Sequence, residues 1–168
     1  MTIELRPITK DNWYDCCKLK VAEGQKRFVA TNSVSLVQAA YEKHLLPLAI
    51  YDGETMVGFV MFSKERGPKW GYWILRLMVD EAHQRKGYGR ATIKEVLRRL
   101  GERPDCAEVF ISEVPDNVVA ARLYESLGFE RTDQVVGDEV STEVLMKYTF
   151  PARDGPPGKG FPVPGRIG

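Results

Sequence analysis

The 168-residue chain is long enough for one well-packed domain, and its hydrophobic share of 43% is ordinary for a protein with a single core. Its 24 basic and 23 acidic residues leave a formal charge of +1, which gives no reason to expect a nucleic acid or an anionic membrane as partner. No apolar run approaches the roughly 20 residues that span a bilayer, and the amino terminus has no basic and then apolar signal pattern. We therefore expect a cytoplasmic protein.

The first part of the chain predicts one strand and two helices. Apolar and polar residues alternate over 3–8, which favours a short strand. Asp11 is placed to cap a helix that runs to about Val21. A second helix would begin at Asn32 or Ser33 and end before Pro47. One face of that helix would carry Val37, Ala40, Tyr41 and His44.

The central part predicts a hairpin, a long strand and a third helix. Residues 48–51 and 56–62 resemble strands, and the Asp52-Gly53 dipeptide between them favours a tight antiparallel turn. Residues 70–79 form an aromatic and aliphatic strand, and a helix follows from about 89 to 100. The spacing predicts a buried stripe on this helix, formed by Ile93, Val96, Leu97 and Leu100.

The remaining elements are a strand at 106–112, a helix from Asp116 to Leu127 that Gly128 ends, and strands near 129–136 and 142–150. The predicted order is β-α-α-β-β-β-α-β-α-β-β. We therefore predict an α/β (α+β) fold in which about seven strands form a mixed, mostly antiparallel sheet flanked by four helices. Residues 1–150 form the domain.

Residues 151–168 form a Pro/Gly-rich tail with too little apolar surface to fold alone. A disordered end is the simplest expectation, and packing against its own domain or a neighbouring subunit is the alternative.

The segment from Gln84 to Gly89 has the features of an anion-binding loop. It connects a predicted strand to a predicted helix, where unpaired backbone N–H groups and the positive end of the helix dipole come together. Gly87 and Gly89 would let the backbone approach a phosphate, and nearby positive charge is available. The basic residues concerned are Arg85, Lys86 and Arg90.

Two nucleotide-binding motifs do not fit this loop. A Walker loop requires GxxxxGK followed by Ser or Thr, which the chain lacks. A dinucleotide fingerprint requires a third glycine where the chain has Thr92, and it belongs near the start of a βαβ unit.

Two motifs together resemble the GNAT family of acetyltransferases. The first is Gln-x-x-Gly-x-Gly at 84–89, after a strand. The second, at 117–129, is similar to the family helix with an Asn, an Ala, a Tyr and a Gly-Phe end, with a one-residue shift between Ala and Tyr. Helical spacing puts Asn117, Ala121 and Tyr124 on one face for a ligand, and it puts the second face toward the core. The second face carries Val119, Leu123 and Leu127.

The resemblance implies acetyl-CoA as cosubstrate. His44 and His83 are isolated in the sequence, so we expect no metal. The resemblance assigns the cofactor's pantetheine to the backbone of Leu77, Met78 and Val79, where an N–H would polarise the thioester carbonyl. It assigns Asn117 to positioning the cofactor or a water, and Tyr124 to protonating the departing thiolate. The pyrophosphate would be held by Gln84, Arg85, Lys86, Gly87, Tyr88, Gly89 and Arg90.

The general base is not identified by the resemblance, because Leu75 stands where animal polyamine acetyltransferases carry a Glu. Glu113, Glu23 and Asp80 are the candidates, directly or through water. Arg76 lies between apolar neighbours, so we expect a carboxylate partner and a structural role.

Residues 20–33 and 73–80 resemble bacterial spermine/spermidine acetyltransferases, which implies a small-molecule polyamine acceptor. Acidic and aromatic groups would bind it, with Glu23, Phe28, Tyr41, Glu113 and Asp80 as candidates. An antibiotic, an amino acid or a protein amine is the alternative acceptor, and an acyl-CoA-binding regulatory module without turnover is the alternative class. The resemblance leaves a homodimer open.

Overall fold

The computed structural model describes residues 2–67, 71–137 and 142–152, and within these ranges the chain forms one seven-stranded sheet with four α-helices. The order of elements is the one predicted from the sequence. Two 3-10 helices, Glu23–Gln25 and Glu81–His83, interrupt the loops. The strands are β1 (Glu4–Pro7), β2 (Leu45–Asp52), β3 (Thr55–Ser63), β4 (Tyr72–Val79), β5 (Glu108–Glu113), β6 (Glu130–Gly137) and β7 (Thr142–Thr149). The helices are α1 (Trp13–Lys18), α2 (Asn32–Tyr41), α3 (Tyr88–Gly101) and α4 (Val118–Glu125).

The strands lie in the order β1-β2-β3-β4-β5-β7-β6. Only β4 and β5 run parallel, and the other neighbours pair antiparallel. The predicted mixed, mostly antiparallel sheet is therefore confirmed. Trp70, the predicted start of β4, and most of the predicted tail lie outside the described residues.

The sheet is covered on both faces by apolar side chains. Along β3, Phe59 and Met61 belong to one buried cluster, whereas Val60 and Phe62 belong to the other, as the alternation of a strand requires. The first cluster includes Cys16 of α1. The second receives the stripe predicted on α3, whose four members are all buried.

A β-bulge in β4 opens the sheet. Met61 of β3 pairs with Arg76 and its neighbour Phe62 pairs with Ile74, so Leu75 is an extra residue without a partner in β3. The pairing of β4 with β5 covers only Tyr72–Ile74 and ends at the same place. Because a bulge bends its strand and increases the local twist, residues 75–79 of β4 diverge from β5 and leave a cleft.

The helix boundaries differ from the predicted ones, most of all at the ends of α1 and α2, which stop at Lys18 and Tyr41 instead of near Val21 and just before Pro47. α1 begins after Asn12 and ends at Lys18, so Asp11 is not its cap. Thr31 accepts a hydrogen bond from the N–H of Val34 and caps α2, in place of Asn32 or Ser33.

Pro47 and Asp116 also have roles other than those predicted. α2 ends at Tyr41, with five residues between it and Pro47, and Pro47 lies in β2. The pairing of β1 with β2 ends at Leu48, so the missing N–H of Pro47 costs no hydrogen bond between these two strands. Asn117, rather than Asp116, caps α4 by accepting a hydrogen bond from the N–H of Ala120.

The predicted core-facing stripe of α4 is wrong in part, whereas the shared face predicted on α2 exists without His44, which follows the helix end, and it faces solvent. Val37 and Tyr41 are 60% and 84% exposed, because the opposite side of α2 packs on the sheet. Val119 is 76% exposed, whereas Ala121 and Tyr124 are buried. The short helix α4 turns its Tyr124 side inward, and Val119 borders the cleft instead of the core.

Candidate active site

The divergence of β4 from β5 creates a cleft of about 940 Å³. Its floor is formed by residues 74–79 of β4, 111–113 of β5 and Val114. One end is bordered by the loop that precedes α3, and the walls are formed by α4 and by residues 21, 22 and 25–30. The predicted cofactor strand, glycine loop and Tyr124 helix are thus brought to one place.

The loop before α3 has two residues in the left-handed region. Arg85 has φ 63° and Gly87, the N-cap of α3, has φ 87°. Glycine adopts this conformation without strain, which explains Gly87. A Cβ on Gly89 would lie 3.5 Å from Leu123 of α4, an ordinary van der Waals contact, so the packing of the two helices does not require glycine here. Gly87, Tyr88 and Gly89 line the cleft end, where the first N–H groups of a helix have no partner within the helix.

Most polar side chains of this loop are engaged with protein. The Gln84 amide donates to the carbonyl oxygen of Val79 at 3.0 Å and to Gln25 at 2.7 Å, which ties the loop to β4 and to the wall. Tyr88 donates its hydroxyl to Asp52 at 2.5 Å. Its phenol pKa is raised mainly by this bond. Arg85 lines the cleft.

Lys86 and Arg90 lie outside the cleft lining among the described residues. Lys86 donates to the carbonyl oxygen of Ala82 at 3.4 Å, and Arg90 donates to the hydroxyl of Ser126 at 2.5 Å. Arg90 thus connects α3 to the end of α4.

Tyr124 is buried at the cleft wall, where the Gly-Phe end of α4 holds it. Gly128 has φ 94°, and the N–H of Phe129 donates to the Tyr124 carbonyl oxygen at 3.1 Å. The Phe129 ring lies 6.0 Å from the Tyr124 ring, centroid to centroid. Burial raises the pKa of the phenol, and the charges of Glu113 and Glu143 raise it further. The phenol therefore keeps its proton throughout the physiological pH range.

Glu113 ends β5 at the cleft, and its side chain has no exposed surface. Arg131 Nη2 lies 2.6 Å from its Oε1, an ion-pair distance, but without hydrogen-bond alignment, so both carboxylate oxygens retain free acceptor capacity. Burial raises the pKa of this carboxyl, the charge of Arg131 lowers it and that of Glu125 raises it. The net direction is upward, as suits a proton acceptor.

The other predicted acceptor residues are dispersed. Phe28 lines the cleft, with the guanidinium of Arg27 4.7 Å from its ring centroid. Glu23 pairs with Lys26 on the surface, and its side chain is 86% exposed. Tyr41 is also exposed, away from the cleft lining. Asp80 accepts hydrogen bonds from the N–H groups of Ala82 and Lys20, so it caps the 3-10 helix at Glu81–His83.

Arg76 differs from its prediction. Its guanidinium donates to the Leu75 carbonyl oxygen at 2.9 Å and to the Gln38 side chain at 3.4 Å, and no described carboxylate forms an ion pair with it. Burial lowers its pKa. The expected carboxylate partner is therefore wrong as a direct ion pair, because Gln38 of α2 occupies this position, and Glu143 and Glu42 act on Arg76 only through their charges.

Glu143 is a cleft residue that the sequence did not reveal. It lines the cleft from β7 and accepts a hydrogen bond from the Ser112 hydroxyl at 2.5 Å. The pairing of β5 with β7 brings it there, because Glu113 lies opposite Val144, the next residue.

A model of the Acetyltransferase (GNAT) family matches residues 10–129. The chain belongs to the GNAT family. Spermine/spermidine N(1)-acetyltransferase of Bacillus subtilis (strain 168) is 28% identical over 135 residues, which cover 77% of this chain and 89% of that protein. N-alpha-acetyltransferase RimI of Mycobacterium tuberculosis is 35% identical over 83 residues, 47% of this chain and 48% of that protein.

Solved structures share the fold of this GNAT protein. The aminoglycoside acetyltransferase AAC(6')-Ib with coenzyme A and kanamycin has a TM-score of 0.70 at 20% identity and covers 88% of this chain and 95% of its own. The spermidine N-acetyltransferase of Vibrio cholerae with coenzyme A and spermine has a TM-score of 0.66 at 13% identity and covers 88% and 95%. The predicted GNAT fold is confirmed, and the protein is an acetyltransferase.

Within the parts of the chain that the structure describes, no helix is long and apolar enough to cross a membrane. The same parts hold no group of three His, Cys, Asp or Glu side chains arranged for a metal ion. The cysteines Cys16, Cys17 and Cys106 are free thiols.

Proposed function

We propose that this GNAT enzyme transfers the acetyl group of acetyl-CoA to a primary amine of a polyamine such as spermine or spermidine, by direct attack in a ternary complex. The observation that carries the proposal is the open seam between β4 and β5, with Tyr124 and Glu113 beside it. A donor and an acceptor can enter such a cleft together, and both ionisable groups of the reaction are present.

The residues of the cleft fit acetyl-CoA. Residues 75–79 of β4 have no partner in β5, so Leu77, Met78 and Val79 offer main-chain groups to an amide-bearing chain. The start of α3 and Arg85 offer N–H groups and positive charge to phosphate. Bound there, acetyl-CoA supplies the acetyl group as a thioester. A backbone N–H of β4 would polarise its carbonyl.

Tyr124 is proposed as the proton donor for the departing thiolate. Its buried phenol stays protonated, and Phe129 fixes the ring. Asn117 uses its side-chain oxygen to cap α4, so we assign it first to holding the Tyr124 helix at the cleft.

Glu113 is proposed as the proton acceptor. An amine of pKa about 10.4 is almost wholly protonated at pH 7, and neutralising it costs roughly 4–5 kcal/mol. A carboxylate enclosed in protein with free acceptor capacity can receive that proton. Because the Glu113 side chain has no exposed surface, the cleft end would have to open enough to admit the amine, or a water that carries its proton, to this carboxylate.

The acceptor class is supported by two kinds of observation. The Bacillus subtilis relative is named for spermine and spermidine and aligns with most of the chain. The cleft also contains the carboxylates of Glu113 and Glu143, which can pair with an ammonium group. Four basic residues line it as well, of which Lys26 is paired with Glu23 and Arg27 with Asp116 at 3.2 Å, whereas Arg76 and Arg85 have no described ion pair.

An aminoglycoside is the second candidate acceptor. It is also a polycationic primary amine, so the same carboxylates would favour it, and a structure that binds kanamycin has the same fold. The chemistry of the two acceptors is shared, and only an assay separates them.

A panel assay with acetyl-CoA and thiol detection tests the proposal. Spermine, spermidine, putrescine, kanamycin, free amino acids and a peptide amine would be compared at equal concentration. We expect the highest kcat/KM with spermine or spermidine. Turnover with kanamycin or a peptide and none with any polyamine would contradict the polyamine assignment. Calorimetric binding of coenzyme A without turnover of any amine would contradict the enzymatic one.

A further inference from the structure

Arg131 connects two parts of the candidate active site from outside the cleft. It lies in β6, opposite Met146 of β7. Its Nη2 atom is 2.6 Å from Glu113 Oε1 at the end of β5, and its Nε atom is 3.1 Å from Glu125 Oε1 in α4. Glu125 directly follows Tyr124 in the chain. One guanidinium thus joins the strand that carries the proposed base to the helix that carries the proposed acid.

We propose that Arg131 is a positioning residue for acetyl transfer, whose guanidinium holds Glu113 at the end of β5 in its charged form and fixes α4 beside it. The inference rests on the proposed function, since it requires Glu113 to accept the proton. Arg131 is 46% exposed, whereas the Glu113 side chain is fully enclosed, so the cation reaches inward from solvent. It therefore supports the buried carboxylate without the cost of burying a second full charge.

The charges around Glu113 have opposite effects. Arg131 on β6 stabilises the carboxylate, whereas Glu125 on α4 destabilises it. Tyr124 on α4 and Glu143 on β7 also line this end of the cleft, as does Arg76 on β4. Glu125 has a second role, because it shares the Arg131 guanidinium. Substitution of Arg131 or of Glu125 therefore changes the charge that acts on the Glu113 carboxylate, and neither substitution alters a residue that lines the cleft.

The test is the pH dependence of kcat/KM with one amine acceptor and saturating acetyl-CoA. Because the base must be unprotonated, the pKa of Glu113 sets the acidic limb. Arg131→Gln removes a favourable charge, so the acidic limb should move to higher pH and much of the lost rate should return as pH rises. Glu125→Gln removes an unfavourable charge, so the limb should move to lower pH. Arg131→Lys should restore most of the wild-type profile.

Arg98→Gln is the matched control, since it removes an Arg that pairs with Glu95 and Glu102 on the outer surface of α3. Its profile should equal that of the wild type. A loss of rate in Arg131→Gln that is the same at every pH would overturn the inference, because that result indicates a structural role alone. Limbs of Arg131→Gln and Glu125→Gln that move in the same direction would also overturn it.

The failure of the inference and that of the proposed function are distinguishable. If Glu113→Gln retains wild-type activity, Glu113 is not the base and the inference falls, while acetyl transfer to the amine stands. If the wild type acetylates no amine, the proposed function itself falls. If Glu113→Gln is inactive but Arg131→Gln has the same acidic limb of kcat/KM as the wild type, only the role proposed for Arg131 is wrong. NMR titration of the Glu113 carboxyl carbon gives a readout without turnover, and we expect its midpoint to rise in Arg131→Gln. An unchanged midpoint counts against the inference.

Discussion

Replacing Tyr124 by Phe removes one hydroxyl group and retains the ring that packs on Phe129. Burial and two nearby carboxylates raise the pKa of this phenol above its ordinary value of about 10, whereas an ordinary thiol has a pKa of about 8.5. Full proton transfer from the phenol to a free thiolate is therefore uphill by more than about 2 kcal/mol. The phenol contributes mainly as a hydrogen-bond donor to the charge that develops on sulfur.

We therefore expect kcat of Tyr124→Phe to fall about 10²-fold, at the lower end of the usual range for a general acid. That loss corresponds to about 3 kcal/mol of transition-state stabilisation. KM for acetyl-CoA should stay close to wild type, and the free energy of unfolding should change by less than about 1 kcal/mol. Initial rates of thiol release from pH 6 to pH 10 and urea unfolding would measure these quantities.

Tyr148→Phe is the matched control, because the Tyr148 ring also packs on Phe129, at 5.5 Å between ring centroids, and Tyr148 does not line the cleft. Its rate should equal that of the wild type. An unchanged kcat in Tyr124→Phe would refute the assigned role. A raised phenol pKa means that loss of the Tyr124 proton should lower the wild-type rate only above about pH 10. The assigned role would therefore also be refuted if the wild-type rate declined well below pH 9 and this decline were absent in Tyr124→Phe.

The remaining predictions concern stability and use urea unfolding. Gly58→Ala should lower the free energy of unfolding by about 2 kcal/mol, because the added Cβ would lie 2.4 Å from the Met78 carbonyl oxygen. Gly53→Ala should lower it by about 1 kcal/mol, because Gly53 has φ 57° but its Cβ would lie in open space. Equal costs would contradict the close approach of β3 and β4. Glu95→Gln should lower stability by at most about 1 kcal/mol at pH 6, since the paired Arg98 is exposed. The bonds to Arg98 lower the pKa of Glu95 to about 2, so this difference should vanish as pH falls from 5 toward 2. A difference that persists at pH 2 would exclude the ion pair as its source.

The sequence predicts the fold well where a pattern is local. The order of elements, the Asp52-Gly53 hairpin and the buried stripe of α3 each follow from spacing within a short segment. Predictions failed where packing decides. The sequence shows Val37 and Tyr41 on one helix face, but it does not show which face of α2 meets the sheet.

The candidate site was predictable to the same extent. The loop at 84–89 and Tyr124 were found because each belongs to a contiguous motif. The bulge at Leu75 has no mark in the sequence, since any residue can occupy it and only the register with β3 reveals it. The sequence did not identify Glu143 and Arg131 as residues near the site for a similar reason. Both come to Glu113 through the strand order β5-β7-β6, which places residues distant in sequence beside one another.

The short parallel seam between β4 and β5 has a mechanical consequence. The described sheet consists of two antiparallel halves, β1 to β4 and β5 to β7, which share only the three residue pairs that begin at Tyr72 and Val109. Because each half has its own antiparallel ladder, widening of the seam would break only these three pairs and would leave both halves folded. A molecule that offers amide groups at strand spacing would add hydrogen bonds between the two halves. The sheet is therefore least complete at the cleft that we propose as the active site.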